Sequence, residues 1–267
     1  MTEKKTMILL IDIGNTCLKW GWPDAGWDNH SSDSLPQIVC TGAINHSESQ
    51  FESLLDEHWN DLDRPEQVWL VSVAKESVSQ AVASWVHKHW GREVFVASSE
   101  SSSDELINAY TEPQRLGVDR WLGLLAAHRF TTKSCVIVDC GSAITLDVLS
   151  EGGEHRGGHI LPGLQMMRNA VYGGAAGVKQ TKDSGNRLNI FANNTEDAVA
   201  AGSLYAVVAY IDRVLSDLEQ ALSKQTVCLV TGGDAEILVP LLAGRVERCP
   251  DLVLQGLAVY GQQAGWK

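Results

Sequence analysis

Asp139-Cys140-Gly141-Ser142 and Asp12-Ile13-Gly14-Asn15-Thr16 each put a carboxylate two residues before a glycine, with a hydroxyl just beyond it. Glycine lets the backbone approach an anion closely, while N–H groups and Ser or Thr hydroxyls donate hydrogen bonds to it. Such a turn suits a phosphate. The aspartate cannot face a phosphate without a cation between them, so the motif also implies a metal or monovalent ion. Each turn lies between apolar runs, Val136-Ile137-Val138 and Ile144 to Val148 in one case, Ile8 to Ile11 and Cys17 to Trp20 in the other. These runs predict strands paired as hairpins.

Asp139 follows Asp12 by 127 residues, close to half of the 267-residue chain. Either motif alone would read as an ordinary glycine hairpin. Two matched copies at this spacing predict a duplicated unit and two similar lobes with a cleft between them. A third glycine turn, Gly232-Gly233-Asp234, follows the predicted strand Val227 to Thr231.

The remaining elements frame these turns. Strands are predicted over 38–43, 67–73 and 93–97, and amphipathic helices over 49–61 and 76–90, after a polar loop over 23–34. A serine-rich connector (98–103) precedes a helix over 121–130. In the second half the hairpin at Val136 leads to a strand or loop over 157–163, a helix over 164–172 and a glycine-rich segment over 173–177. One long helix spans 195–222, capped by Asn194 or Thr195, with small residues at 198 and 200–202 suited to close packing. A short helix over 235–242, an edge strand over 247–249 and a terminal helix over 252–264 complete the chain. The order predicts an α/β protein of two ribonuclease H-like lobes, each a β-β-β-α-β-α-β-α unit on a mixed sheet, divided as residues 1–117 and 118–267.

A net charge of −12 argues against unspecific nucleic-acid binding and against docking on anionic membranes. No targeting signal is recognised at the start, and no stretch approaches the ~20 apolar residues of a membrane span. A cytoplasmic location is expected. Six cysteines without a C-x-x-C pair read as buried free thiols, and His87-Lys88-His89 reads as a solvated helix face rather than a metal site. The nine tryptophans suggest no stacking platform.

Asp119 and Arg120 fall near the start of the helix at Trp121. There an acidic group complements the helix dipole, and the arginine could be a surface ion pair. Their position at the expected lobe junction, beside two phosphate turns, makes a catalytic role the alternative.

Taken together, Asp12 to Lys19, Tyr110, Gly117-Val118-Asp119-Arg120, Asp139 to Ser142, Gly157-Gly158-His159-Ile160-Leu161-Pro162-Gly163, Thr195 and Gly232-Gly233-Asp234 resemble the type III pantothenate kinases. That family belongs to the superfamily of acetate and sugar kinases, heat-shock chaperones and actin. The motifs run from residue 12 to residue 234 in the family's order.

The resemblance implies a role for each position. Asp12, Ile13, Gly14, Asn15, Thr16, Cys17, Leu18 and Lys19 form the first phosphate loop for ATP. Ser142 contacts an ATP phosphate where the family usually carries Thr, and Gly232 and Gly233 lie against the nucleotide. Asp139 ligates a monovalent cation, potassium or ammonium. Tyr110, Gly117, Val118, Asp119, Arg120 and Thr195 bind pantothenate, and the molecule is a homodimer. Asp119 is then the candidate general base, since an ordinary carboxylate is ionised at neutral pH and can take the hydroxyl proton. Arg120 could hold the substrate carboxylate or a phosphate oxygen. Magnesium would accompany ATP. The chain has no G-x-x-x-x-G-K-S/T motif, so the P-loop route to this reaction is excluded. The competing expectations are another small-molecule kinase of the superfamily and a non-catalytic ATP-binding regulator that has kept the fold.

Overall fold

A computed structural model describes residues 7–24, 27, 35–46, 51–104, 106–175, 178, 188–222 and 225–266. Most of the loop expected over 23–34, the first residues of the helix expected at 49 and part of the glycine segment at 173–177 lie outside them.

The first half contains β1 (Ile8–Ile13), β2 (Cys17–Pro23), β3 (Ile38–Asn45), α1 (Phe51–Trp59), β4 (Gln67–Ser72), α2 (Glu76–Trp90) and β5 (Val94–Val96). Two-residue strands β6 (Ser102–Ser103) and β7 (Leu106–Ile107) form a small hairpin within the stretch read as a connector. They are too short to leave a periodic signal. Next come α3 (Val118–Phe130), β8 (Cys135–Cys140), β9 (Ala143–Leu149), β10 (His155–Pro162), α4 (Leu164–Gly174) and α5 (Thr195–Leu222). The chain ends with β11 (Val227–Thr231), α6 (Ala235–Leu238), β12 (Val246–Arg248) and α7 (Leu252–Gln263).

The duplication is visible in the strand order. One five-stranded sheet runs β3-β2-β1-β4-β5 and the other β10-β9-β8-β11-β12, so each strand has a counterpart at the same place. In both sheets the central strand pairs antiparallel with its hairpin partner and parallel with the strand on its other side. Asp12 stands opposite Lys19 of β2 and Val71 of β4, and Asp139 opposite Thr145 of β9 and Thr231 of β11. Both aspartates therefore sit at the carboxyl end of a central strand.

The chain divides into two compact units, one of residues 1–132, 152–155 and 251–267, the other of residues 133–151 and 156–250. These units differ from a split at residue 117. The apolar length of α3, with Trp121, Leu122, Leu124 and Leu125 all buried, packs against α7, so both helices belong to the first unit. At their crossing a side chain on Gly256 would stand 2.0 Å from the carbonyl oxygen of Leu122, so the two helices meet at backbone contact.

In the first unit, α1 and α2 cover the sheet with a tryptophan core that sequence spacing did not reveal. Trp59, fully buried, has Trp85 at 5.3 Å, Trp20 at 5.6 Å and Trp90 at 5.7 Å between ring centres. Edge-to-face and offset arrangements of this kind add to the area they bury. His89 stacks on Trp85, and His87 meets Glu93, in keeping with a solvated helix end. In the second unit, α5 is long and apolar enough, by length and composition, to cross a membrane, which counting uninterrupted apolar residues did not suggest. Its inward face is consumed by the core, where Leu204, Val207 and Ile211 are fully buried against β8, β9 and β11. Cys17, Cys135, Cys140, Cys228 and Cys249 are free thiols. Burial pushes Cys135 and Cys228 up to about 12.

The indole N–H of Trp59 has no hydrogen-bond partner, so its contribution is packing alone. Trp59→Ala should lower unfolding free energy by about 3–5 kcal/mol, whereas Trp59→Phe should lose only about 1–2 kcal/mol. Denaturant titration of the two variants checks this, and equal losses would mean that the indole nitrogen matters.

Candidate active site

The first turn follows β1. The N–H of Gly14 donates to the carbonyl of Cys17 at 2.9 Å, and His46, just beyond β3, donates through Nε2 to the carbonyl of Gly14 at 2.7 Å. Asn15 and Thr16 are exposed at the tip. Ile13 and Leu18 are fully buried in the core, so these two members of the motif can offer a ligand only backbone. Lys19 lies on the same face of the hairpin as Asp12, directly across the ladder. Its charge reaches Asp251, the residue before α7, whose carboxyl is raised by burial and partly brought back by Lys19.

A second group forms where α3 begins. Gly117 is its N-cap residue, and Val118 and Asp119 open the first turn. Asp119 Oδ1 accepts the N–H of Arg120 at 2.8 Å, so its carboxylate is folded over the positive end of the helix. Arg120 is not a surface ion pair. It is 7% exposed, and its Nη1 donates to the hydroxyl of Tyr110 at 3.1 Å with the guanidinium 5.8 Å from the ring centre. The N–H of Tyr110 donates to Asn108 Oδ1 at 3.0 Å, and Asn108 Nδ2 donates to the carbonyl of Glu100 at 3.0 Å. An open groove of about 440 Å³ is lined by Ala109, Tyr110, Thr111, Glu112 and Arg115. Tyr110, Gly117, Asp119 and Arg120 thus lie close together around the start of α3.

The second turn is built in the other unit. Asp139 ends β8, and the N–H of Gly141 donates to the carbonyl of Ala143 at 3.1 Å. Two glycines clamp this turn. The N–H of Gly163, the residue before α4, donates to the carbonyl of Ser142 at 3.1 Å. Gly232 has φ +91°, and a side chain there would lie 2.4 Å from Asp139 Oδ1 and 2.5 Å from the carbonyl of Cys140. Only glycine fits both the conformation and the space. The N–H of Asp234 then donates to the carbonyl of Cys140 at 2.8 Å, fixing the Gly232-Gly233 turn against the phosphate turn. Arg168 of α4 is buried and donates through Nε to Ser203 of α5 at 3.0 Å. Burial raises the carboxyl of Asp234, and the Arg168 charge opposes the shift. Thr195 opens α5 in this unit and is exposed, while Asn194 provides the cap by accepting the N–H of Asp197 at 2.9 Å.

Asn108, His155 and Arg168 were missed from sequence. Each is an isolated polar residue with no partner at a diagnostic spacing, and only the fold shows that it is buried.

Two copies of one five-stranded sheet, each with an Asp-Gly turn at the carboxyl end of its central strand, define the fold shared by acetate and sugar kinases, heat-shock chaperones and actin. Solved structures agree at the level of fold. A protein described as a candidate Baf family transcriptional activator from Campylobacter jejuni matches with TM-score 0.60 and 20% identity, over 97% of this chain and 100% of that one. A candidate 2-dehydro-3-deoxygalactonokinase from Sinorhizobium meliloti matches with TM-score 0.59 and 12% identity, over 97% of each chain. The model of the type III pantothenate kinase family matches residues 8–217, and the chain belongs to that family. Among its relatives, the type III pantothenate kinase of Nitrosococcus oceani is 36% identical over 94% of this chain and 92% of its own length. That of Chromohalobacter salexigens is 35% identical over 94% and 86% respectively.

Gly232→Ala should lower unfolding free energy by about 1–3 kcal/mol, through the positive φ and the backbone clash. Gly173→Ala, at a helical glycine with open space around it, should be neutral or gain about 0.5–1 kcal/mol. Thermal unfolding compares them, and a wild-type melting temperature for Gly232→Ala would show that the turn is not clamped.

Proposed function

We propose that the chain transfers the γ-phosphoryl group of ATP to the primary hydroxyl of pantothenate, giving 4'-phosphopantothenate and ADP, the first step of coenzyme A synthesis. The observation that carries this reading is the start of α3, where a half-buried carboxylate is followed by a buried arginine whose guanidinium holds the hydroxyl of a tyrosine lining an open groove, in a chain of this family. A small polar acid with one nucleophilic hydroxyl needs those groups.

The substrate oxygen attacks the γ-phosphorus in line, the bond to the β–γ bridging oxygen breaks, and ADP departs with those electrons. Asp119 orients the hydroxyl and accepts its proton, which the loose transition state releases late. Arg120, held rigid by Tyr110, offers its remaining donors to the pantothenate carboxylate. By the family likeness, Gly117, Val118 and Thr195 bind pantothenate as well. Asn15 and Thr16 of the first turn and Ser142 of the second present N–H and hydroxyl donors to the phosphates, and Gly232-Gly233 gives the nucleotide a flat surface.

Asp139 Oδ1 and the Cys140 carbonyl both lie against Gly232, and oxygen donors of this kind suit a hard monovalent cation. Magnesium would arrive on ATP, ligated by phosphates and water. When bound, potassium or ammonium and magnesium would offset negative charge on the phosphates. A homodimer is supported by Ile190 and Phe191, 74% and 87% exposed just before Thr195. A cytoplasmic location suits the free thiols.

Coupled measurement of ADP release with pantothenate and Mg-ATP, in potassium and then in sodium, tests the reading. Turnover should require both pantothenate and potassium, and a folded but silent protein would favour an ATP-binding regulator. Asp119→Asn should lower kcat by about 10²–10⁴-fold with ATP affinity retained; near-normal turnover would remove Asp119 as the base. Asp139→Ala should abolish the potassium response, and normal stimulation of that variant would place the cation elsewhere.

A further inference from the structure

His155 stands behind the tyrosine of the substrate cluster and is assigned no role by the reading above. It is 3% exposed, an unusual depth for a histidine. Its ring lies nearly parallel to that of Tyr110, at 10° and 6.2 Å between centres. Its Nδ1 accepts the N–H of Ala109 at 3.4 Å. Sequence neighbours do not bring it there. The segment 152–155, which ends on the first residue of β10, belongs to the first unit, where the N–H of Ile107 donates to the carbonyl of Gly153 at 2.9 Å and Ile107 pairs with Glu154.

We infer that His155 is a positioning residue for pantothenate, acting through Tyr110; the inference rests on the kinase reading of this cluster. Tyr110 is held from three directions: Asn108 takes its N–H, Arg120 donates to its hydroxyl, and the His155 ring lies offset and nearly parallel beside its own. The first two hold the residue at its backbone and its hydroxyl, with the Arg120 guanidinium also 5.8 Å from the ring centre, and His155 adds a parallel ring that limits its tilt. Without the imidazole, a cavity opens behind Tyr110, the ring turns into it, and its hydroxyl leaves Arg120. The guanidinium then loses the contact that aims it at the substrate. His155 touches Ala109 and Tyr110, two residues that line the groove, so its loss falls first on pantothenate binding. A separation of 3.4 Å is long for an N–H···N bond, so the ring face matters more than the acceptor. An aromatic replacement should therefore rescue.

Steady-state kinetics on the full chain test this with His155→Ala, His155→Phe, Tyr110→Ala and the double variant His155→Ala/Tyr110→Ala. His155→Ala should raise the pantothenate KM roughly tenfold, the scale of one coupled contact, with ATP KM unchanged and kcat within about twofold. His155→Phe should stay within about threefold of wild type. The double variant should be no worse than Tyr110→Ala, because the histidine acts through the tyrosine. If His155→Ala does not fold, His155→Leu fills the volume without a ring face and should show the same selective rise. An unchanged pantothenate KM, equal rises in both KM values, or additive effects in the double variant would overturn the inference. An inactive wild type would overturn the kinase reading itself, whereas an active wild type with an indifferent His155→Ala overturns only the role of the histidine.

Discussion

Backbone lying directly on backbone is the constraint that the second phosphate turn depends on. A turn packed this closely between two neighbouring segments cannot be propped from behind by side chains, because their bulk would push it out of line. Gly163 and Gly232 solve this from two sides, each placing main chain where a methyl group would collide with the turn. The clamp also carries information along the chain. Gly163 leads into α4, whose Arg168 bonds to Ser203 of α5, and Gly232 leads into Asp234, whose carboxyl feels that same arginine. The turn, both helices and the third glycine motif thus form one connected polar and backbone network around the end of β8. Such networks are rigid when every member has its partner.

The first turn has the same place in an equivalent sheet and is supported differently. A side chain on Gly14 would meet only the Cys17 carbonyl, at 3.3 Å, and His46 ties the loop from the side instead. Duplication has kept the strand order and the register of the two aspartates, which are set by the pleat and by the burial of the central strands. What supports each loop is set by the elements that follow it, and these diverged.

Much of this was legible in the sequence. The hairpins, α2 and α5 appear where periodicity and turn residues put them, since each has a strong local signal, and the two Asp-Gly turns carry their spacing openly. The cluster of Tyr110, Asp119 and Arg120 was legible only through its likeness to a family, because residues ten apart joined by a loop have no physical period. The tryptophan core, the return of α7 to the first unit and the burial of Arg120 were not legible. Each depends on which surfaces meet after the chain has folded back, and a dispersed set of tryptophans or an arginine at a helix start looks the same whether buried or solvated.

That return has a functional consequence. α3 offers its first turn to the substrate cluster, and its buried face is covered by α7, from the far end of the chain. The crossing is so close that Leu122, three residues after Asp119, has its carbonyl against Gly256. A shift of α7 must therefore move the helix that carries both the carboxylate and the guanidinium. Asp251, just before α7, faces the charge of Lys19 on the first hairpin, so the same helix is referenced to the first phosphate loop at its start. The C-terminal helix thus packs against the helix that carries Asp119 and begins within the charge influence of Lys19, although it lies beyond the residues that the family model matches.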